Sequence, residues 1–137
     1  MNQISIYVGL PGSGKTYLAT KHHNLLGGIF LDDKFTKTQL LEALQTSQNV
    51  FITDPSLCSP SHRTALKTLI NGFKEKCIVW FWFENDPSKA FINIKYRNDG
   101  RIISEAAVKY HYSKILQIPE DVEVIQIWND KTPHQEE

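Results

Sequence analysis

The apolar positions of this chain fall into short runs, and stretches with helical spacing separate one run from the next. Ile4-Ser5-Ile6-Tyr7-Val8 is rich in β-branched residues and ends on Gly9, which predicts a buried strand. A helix is predicted from about Gly14-Lys15, stopping before Gly27-Gly28. Residues 29–31, Ile-Phe-Leu, predict a second short strand. Thr36 with Gln39 three residues on has the form of a capping box, and Leu40, Leu41 and Leu44 give the helix behind it one apolar face. A third strand over 49–53 ends on Asp54. Ser59-Pro60 offers an N-cap followed by proline at the first helical position, and Leu66, Leu69, Ile70 and Phe73 keep helical spacing after it. Residues 78–83 are apolar throughout, which predicts a central fourth strand buried on both faces. Asp86-Pro87 starts another helix with Phe91 and Ile94 facing inward, and 97–101 is a polar break. A last helix runs from 104 to about 117, Pro119 ends it, and 122–127 forms a fifth strand.

Strands alternating with helices imply an α/β protein with a parallel sheet and right-handed crossovers. In such a sheet ligands gather at the carboxyl ends of the strands, where Gly9, Asp32, Asp54 and Asn85 all fall. With 137 residues, of which 41% are hydrophobic and 22% charged, the chain has ordinary globular usage, which excludes disordered and fibrous classes. One domain over 1–130 with a polar tail at 131–137 is the expected organisation. Lys plus Arg and Asp plus Glu are 15 each, so any surface for a polyanion must come from local clustering. Cys58 and Cys77 have no metal-ligand spacing and read as a reduced pair. The longest apolar run is too short to span a membrane, and Met1 leads straight into a strand. A cytoplasmic location is expected.

The chemistry begins at Gly9-Leu10-Pro11-Gly12-Ser13-Gly14-Lys15-Thr16, which follows a strand and opens a helix. That is the context of a phosphate-binding loop. Gly12, Ser13 and Gly14 let backbone N–H groups turn inward around phosphates, and the helix N-terminus adds a positive dipole end. Lys15 is expected to reach the β/γ-phosphate oxygens and the Thr16 hydroxyl to ligate Mg²⁺, making ATP and Mg²⁺ the expected nucleotide and metal. The fold expected is a three-layer P-loop NTPase of kinase type with a five-stranded parallel sheet. Its order, 2-3-1-4-5, is taken by analogy with P-loop proteins rather than from the pattern. The chain has no Asn-Lys-x-Asp guanine-reading segment and carries its own candidate arginines, which favours a kinase over a GTPase or a motor.

Phosphoryl transfer to an alcohol needs a group that orients the hydroxyl and takes its proton. Asp32, at the end of the second strand, is the predicted catalytic carboxylate. Asp33 either meets the substrate or caps the turn toward Thr36. Asp54 either serves Mg²⁺, directly or through water, or holds the acceptor. Arg63 is a weaker substrate candidate, since an arginine on a helix is more often solvated. Arg97 and Arg101 in Arg97-Asn98-Asp99-Gly100-Arg101 supply two guanidiniums for a lid, with Arg97 also touching nucleotide. Trp80 and Trp82 share one face of the fourth strand; burial accounts for them, with a base-stacking platform as the alternative. The five histidines show no metal spacing.

The loop, the Asp32-Asp33 pair, Asp54 and the Arg97–Arg101 segment together resemble the kinase domain of bacteriophage polynucleotide kinase, in order and approximate spacing, across residues 3 to 127. The resemblance implies that Lys15 and Thr16 bind nucleotide and Mg²⁺, Asp32 activates the hydroxyl, Asp54 belongs to the acceptor site, and Arg97 with Arg101 hold phosphates. Phe35 stands where that family tends to place an arginine gripping the acceptor's phosphate, and no phosphatase domain is expected. The segment from Phe83-Glu84-Asn85-Asp86-Pro87 to Arg101 looks like the small phage kinases that phosphorylate 5-hydroxymethyluracil within DNA. That implies a DNA or nucleotide acceptor and, for a phage-encoded chain, action in the host cytoplasm. A 5′-hydroxyl polynucleotide kinase, a nucleoside or small-metabolite kinase, and a non-catalytic nucleotide-binding module are the competing readings.

Overall fold

The computed structural model describes residues 2–33, 35–73, 76–96 and 107–129. Five parallel strands form one sheet in the order β2-β3-β1-β4-β5, as the analogy anticipates. They are β1 Asn2–Val8, β2 Ile29–Leu31, β3 Val50–Thr53, β4 Lys76–Phe83 and β5 Val124–Ile125. β1 sits in the middle, with Ile6 level with Ile52 on one side and Trp80 on the other.

Alternation along the strands gives the sheet two apolar faces. Ile4, Ile6 and Val8 join Val50 and Ile52 on the first, packed with Leu40 and Leu44 of α2 (Lys37–Leu44), Leu66 and Ile70 of α3 (Pro60–Asn71), and Ala90 and Ile94 of α4 (Pro87–Tyr96). Tyr7, Phe51 and Phe83 occupy the second, with Ala19 of α1 (Lys15–Leu26). The histidines at the end of α1 have structural roles on this side. His22 Nδ1 hydrogen-bonds the buried Tyr7 hydroxyl at 2.7 Å, and His23 Nε2 reaches the Gly28 carbonyl at 2.8 Å.

Helix starts follow local chemistry. The capping box of α2 is complete: Gln39 N donates to Thr36 Oγ1 at 3.1 Å and Thr36 N to Gln39 Oε1 at 2.7 Å. α3 begins at Pro60, but the Ser59 hydroxyl pairs with that of Ser61 at 2.9 Å instead of capping the helix. A 3₁₀ turn at Pro55–Cys58, which the pattern does not predict, precedes it.

Three expectations need correction. β5 is only Val124–Ile125, not 122–127, and pairs only with Trp82 and Phe83. Residues 78–81 of β4 therefore have a hydrogen-bonded neighbour on the β1 side alone, and they are half-buried rather than enclosed on both faces. Among the described part of 104–117, Ala107–Tyr112 is π-helical and only Ser113–Ile115 (α5) is α-helical. The arginine segment 97–101 and the tail 131–137 lie outside the described residues.

Candidate active site

The loop between β1 and α1 turns through two glycines with positive φ, Gly12 at 84° and Gly14 at 101°. Gly12 is also tied by proximity, since a Cβ there would sit 2.2 Å from the Ala90 carbonyl oxygen of α4. An amide network holds the same contact from outside. Asn93 Nδ2 donates to the carbonyls of Gly12 and Trp128, each at 2.8 Å, and Asn129 Nδ2 donates to Asn93 Oδ1 at 3.0 Å. The loop is thus clamped by α4 and by the segment after β5, through residues that carry no recognisable sequence signal.

Inside the loop, Ser13 N donates to Leu10 O at 3.0 Å, closing a tight turn. Lys15 is buried, and its Nζ donates to the same Leu10 carbonyl at 3.0 Å. Ser13 Oγ is buried with no hydrogen-bond partner among the described residues. A buried hydroxyl left unmet costs about 1–3 kcal/mol, so this atom awaits a polar guest. With two positive-φ glycines leading into a helix N-terminus and a buried ammonium, the loop fits a polyphosphate. Thr16, half-buried, follows at the start of α1. No cluster of three or more His, Cys, Asp or Glu side chains occurs among the described residues, and Mg²⁺ held largely through substrate phosphates does not require one.

The second wall is built where β2 and β3 end. Asp32 directly follows β2 and is exposed. The fully buried Thr53, last residue of β3, donates its hydroxyl to Asp32 Oδ1 at 2.7 Å, and Asp33 N donates to the same oxygen at 2.8 Å. The pairing of Leu31 with Ile52 sets this registration. Thr36 fills the N-cap of α2. Asp54 Oδ1 accepts from Ser56 N at 2.9 Å and so caps the 3₁₀ turn.

Tyr112, on the π-helical segment, is a neighbour that pattern reasoning missed. Burial raises its phenol above the usual value, and the nearby Cys58, Asp54 and Asp33 add to the rise. Phe35 packs against the core, which accounts for an apolar residue where the resemblance expects an arginine.

Arg63 is not a solvated helix arginine. Its Nη1 donates to Leu57 O at 2.8 Å and Cys58 O at 2.9 Å, its guanidinium lies 5.1 Å from the Trp82 ring centre, and burial lowers its pKa. Cys58 Sγ donates to Gly9 O at 3.3 Å, and burial pushes its thiol up to about 11, so it stays protonated and unreactive. Cys58 and the exposed Cys77 are both free thiols. Asn85 also departs from expectation. Its amide donates to Ser113 O at 2.8 Å and Leu116 O at 3.2 Å and accepts from Ser113 Oγ at 2.7 Å, fastening α5 to the end of β4. Arg97 and Arg101, the predicted lid, fall outside the described residues.

No protein-family model matches the chain. The uncharacterized protein R277 of Acanthamoeba polyphaga mimivirus is 30% identical over 104 residues, covering 72% of this chain and 75% of that protein. A gluconokinase from Sinorhizobium meliloti 1021 superposes with a TM-score of 0.59 at 14% identity, over 91% of this chain and 81% of the other. At that identity the likeness is one of fold, that of a P-loop kinase. Among the described residues no helix is long and apolar enough to cross a membrane.

Proposed function

The chain belongs to the family of the mimivirus protein R277, and from its P-loop kinase fold and the residues of its site we propose that it is an ATP-dependent phosphotransferase acting on a hydroxyl. One observation carries the reading: an exposed carboxylate, Asp32, is fixed by Thr53 at the strand end beside β3, with the phosphate loop at the end of the next strand, β1. A phosphate loop alone would serve any nucleotide binder; a held carboxylate on the same rim suits an acceptor alcohol.

In this reading Gly12, Ser13, Gly14 and Lys15 bind the triphosphate. Thr16, with Asp54 directly or through water, holds Mg²⁺, which when bound neutralises charge on the phosphates. Asp32 orients the acceptor hydroxyl. As the acceptor oxygen bonds to the γ-phosphorus, the bond from that phosphorus to the β,γ-bridging oxygen breaks, and Asp32 takes the acceptor's proton. Asp33, Asp54 and Arg63 border the acceptor, and Arg97 with Arg101 offset charge on the γ-phosphoryl oxygens.

The acceptor we propose is a hydroxyl on nucleic acid, most specifically the 5-hydroxymethyl group of hydroxymethyluracil in DNA. Its support is the resemblance of the loop, the acidic pair and the arginine segment to polynucleotide-type kinases. A small hydroxylated metabolite is the second reading, favoured by the fold shared with a gluconokinase. ATP labelled at the γ-phosphate, offered with hydroxymethyluracil DNA, 5′-hydroxyl oligonucleotides, nucleosides and gluconate, separates these. Label on the modified base is expected. Label only on 5′ ends or only on a small molecule reassigns the acceptor, and tight ATP binding with no label on any acceptor leaves a nucleotide-binding module.

A further inference from the structure

Between α3 and β4 the molecule has an open groove of about 300 Å³, lined by Pro60, Arg63, Thr64 and Lys67 of α3 and by Trp80 and Trp82 of β4. Its existence follows from topology. β5 pairs at Trp82 and Phe83, and among the described residues no strand continues along β4 beside Trp80, which stays half-buried. The two indoles stack on each other, 5.9 Å apart with their planes 21° from parallel.

The helix facing them is the informative part. Positions 60, 63, 64 and 67 form one stripe of α3 at helical spacing, whereas Leu66 and Ile70 take the core-facing stripe. Trp82 belongs to the buried core and Trp80 packs against it half-buried, yet the stripe of α3 opposite them is not apolar. It is polar and carries two cations. Arg63 lies against the Trp82 ring, and the carbonyls that hold its Nη1 are neutral, so they orient the guanidinium without cancelling its charge. Lys67 is exposed a turn further on. The half-buried Trp80 ring, with the Arg63 and Lys67 cations on the helix opposite, suits a planar base joined to a phosphate.

The groove is also mechanically continuous with the phosphate loop. Arg63 grips the carbonyls of Leu57 and Cys58, and Cys58 Sγ donates to Gly9 O at the loop's start. We infer that this groove binds a single-stranded segment of the acceptor nucleic acid, a base stacking on Trp80 and the adjoining phosphates meeting Arg63 and Lys67. The inference rests on the nucleic-acid acceptor of the proposed function and adds the track along which that acceptor lies.

The test uses the full chain and a fluorescein-labelled single-stranded oligothymidylate, read by anisotropy over a series of salt concentrations. Affinity for a fluorescent ATP analogue and transfer of labelled phosphate are measured beside it. Trp80→Leu is expected to weaken oligonucleotide binding roughly 5- to 150-fold, the range of a lost base–aromatic stack. Lys67→Glu, at an exposed helix position that keeps the test valid should Trp80→Leu fail to fold, is expected to weaken binding and lower the salt slope by about one or more. ATP affinity is expected to be unchanged in both. Parental oligonucleotide affinity in the two variants overturns the groove, and so does a loss of ATP affinity that tracks the loss of oligonucleotide. If the parent labels nucleic acid and the variants bind and label it equally well, the groove fails while the proposed acceptor stands. Label confined to small molecules, with no oligonucleotide bound, removes both.

Discussion

Replacing Thr53 with valine isolates the contact on which the acceptor wall depends. Thr53 is fully buried at the end of β3, and its hydroxyl donates to Asp32 Oδ1 at 2.7 Å. Valine keeps the shape and suits a strand, so the fold should persist with a stability loss of no more than about 1 kcal/mol. A hydrogen bond to a charged group is worth about 1.5–3 kcal/mol when water cannot replace it. Asp32 is exposed and keeps the 2.8 Å bond from Asp33 N, which brings the expected loss down to about 1 kcal/mol. If that loss falls on the transition state, kcat drops roughly fivefold. The assay is steady-state transfer of labelled phosphate at saturating acceptor, with the KM for ATP and the melting temperature measured alongside. Unchanged kcat in a folded Thr53→Val protein would refute the positioning of Asp32. An increase in the KM for ATP by the same factor as the fall in kcat would place Thr53 in nucleotide binding instead.

Two further predictions concern the loop and its support. Gly12→Ala would drive a Cβ to 2.2 Å from Ala90 O at a φ of +84°, so a loss of about 2–4 kcal/mol is expected. It should read as a melting temperature lower by roughly 10 °C together with lost ATP affinity, and a parental melt would contradict the close approach. The Cys58 thiol, raised from 9.0 to about 11 by burial, favours the folded state most fully below pH 9 and loses that contribution as pH climbs toward 11. Urea unfolding at pH 8, 9 and 10 should show parental stability falling more steeply than that of Cys58→Ala, by up to about 1.4 kcal/mol per pH unit. Parallel curves would mean that the thiol does not titrate in this way.

Local signals located most of the fold. The loop glycines, the Thr36–Gln39 box and Pro60 each dictate backbone over a few residues, and the helices begin where those residues place them. Strand order is non-local and came from analogy with P-loop proteins, which the sheet bears out. The failures have a shared cause. Hydrophobicity says that residues 78–83 form a strand, but how far they are covered depends on the length of β5. The 3₁₀ turn at Pro55–Cys58 and the π-helical Ala107–Tyr112 change which residues meet without changing the apolar pattern. In the site, Asp32 was legible because it ends a strand, but Thr53, its partner, looks like any strand threonine. Asn93, Asn129 and Tyr112 act across the tertiary structure and leave no mark at fixed sequence spacing.

Transfer to a hydroxyl positioned by Asp32 meets its sharpest test in the Asp32→Asn protein. Transfer of the γ-label from ATP and binding of a fluorescent ATP analogue are measured on the same preparation, with Lys15→Ala as the reference for a damaged phosphate loop. Asp32→Asn is expected to lose at least about 100-fold in transfer, the scale of a general base, while binding ATP like the parent. Lys15→Ala is expected to lose both. Parental transfer by Asp32→Asn would contradict the claim.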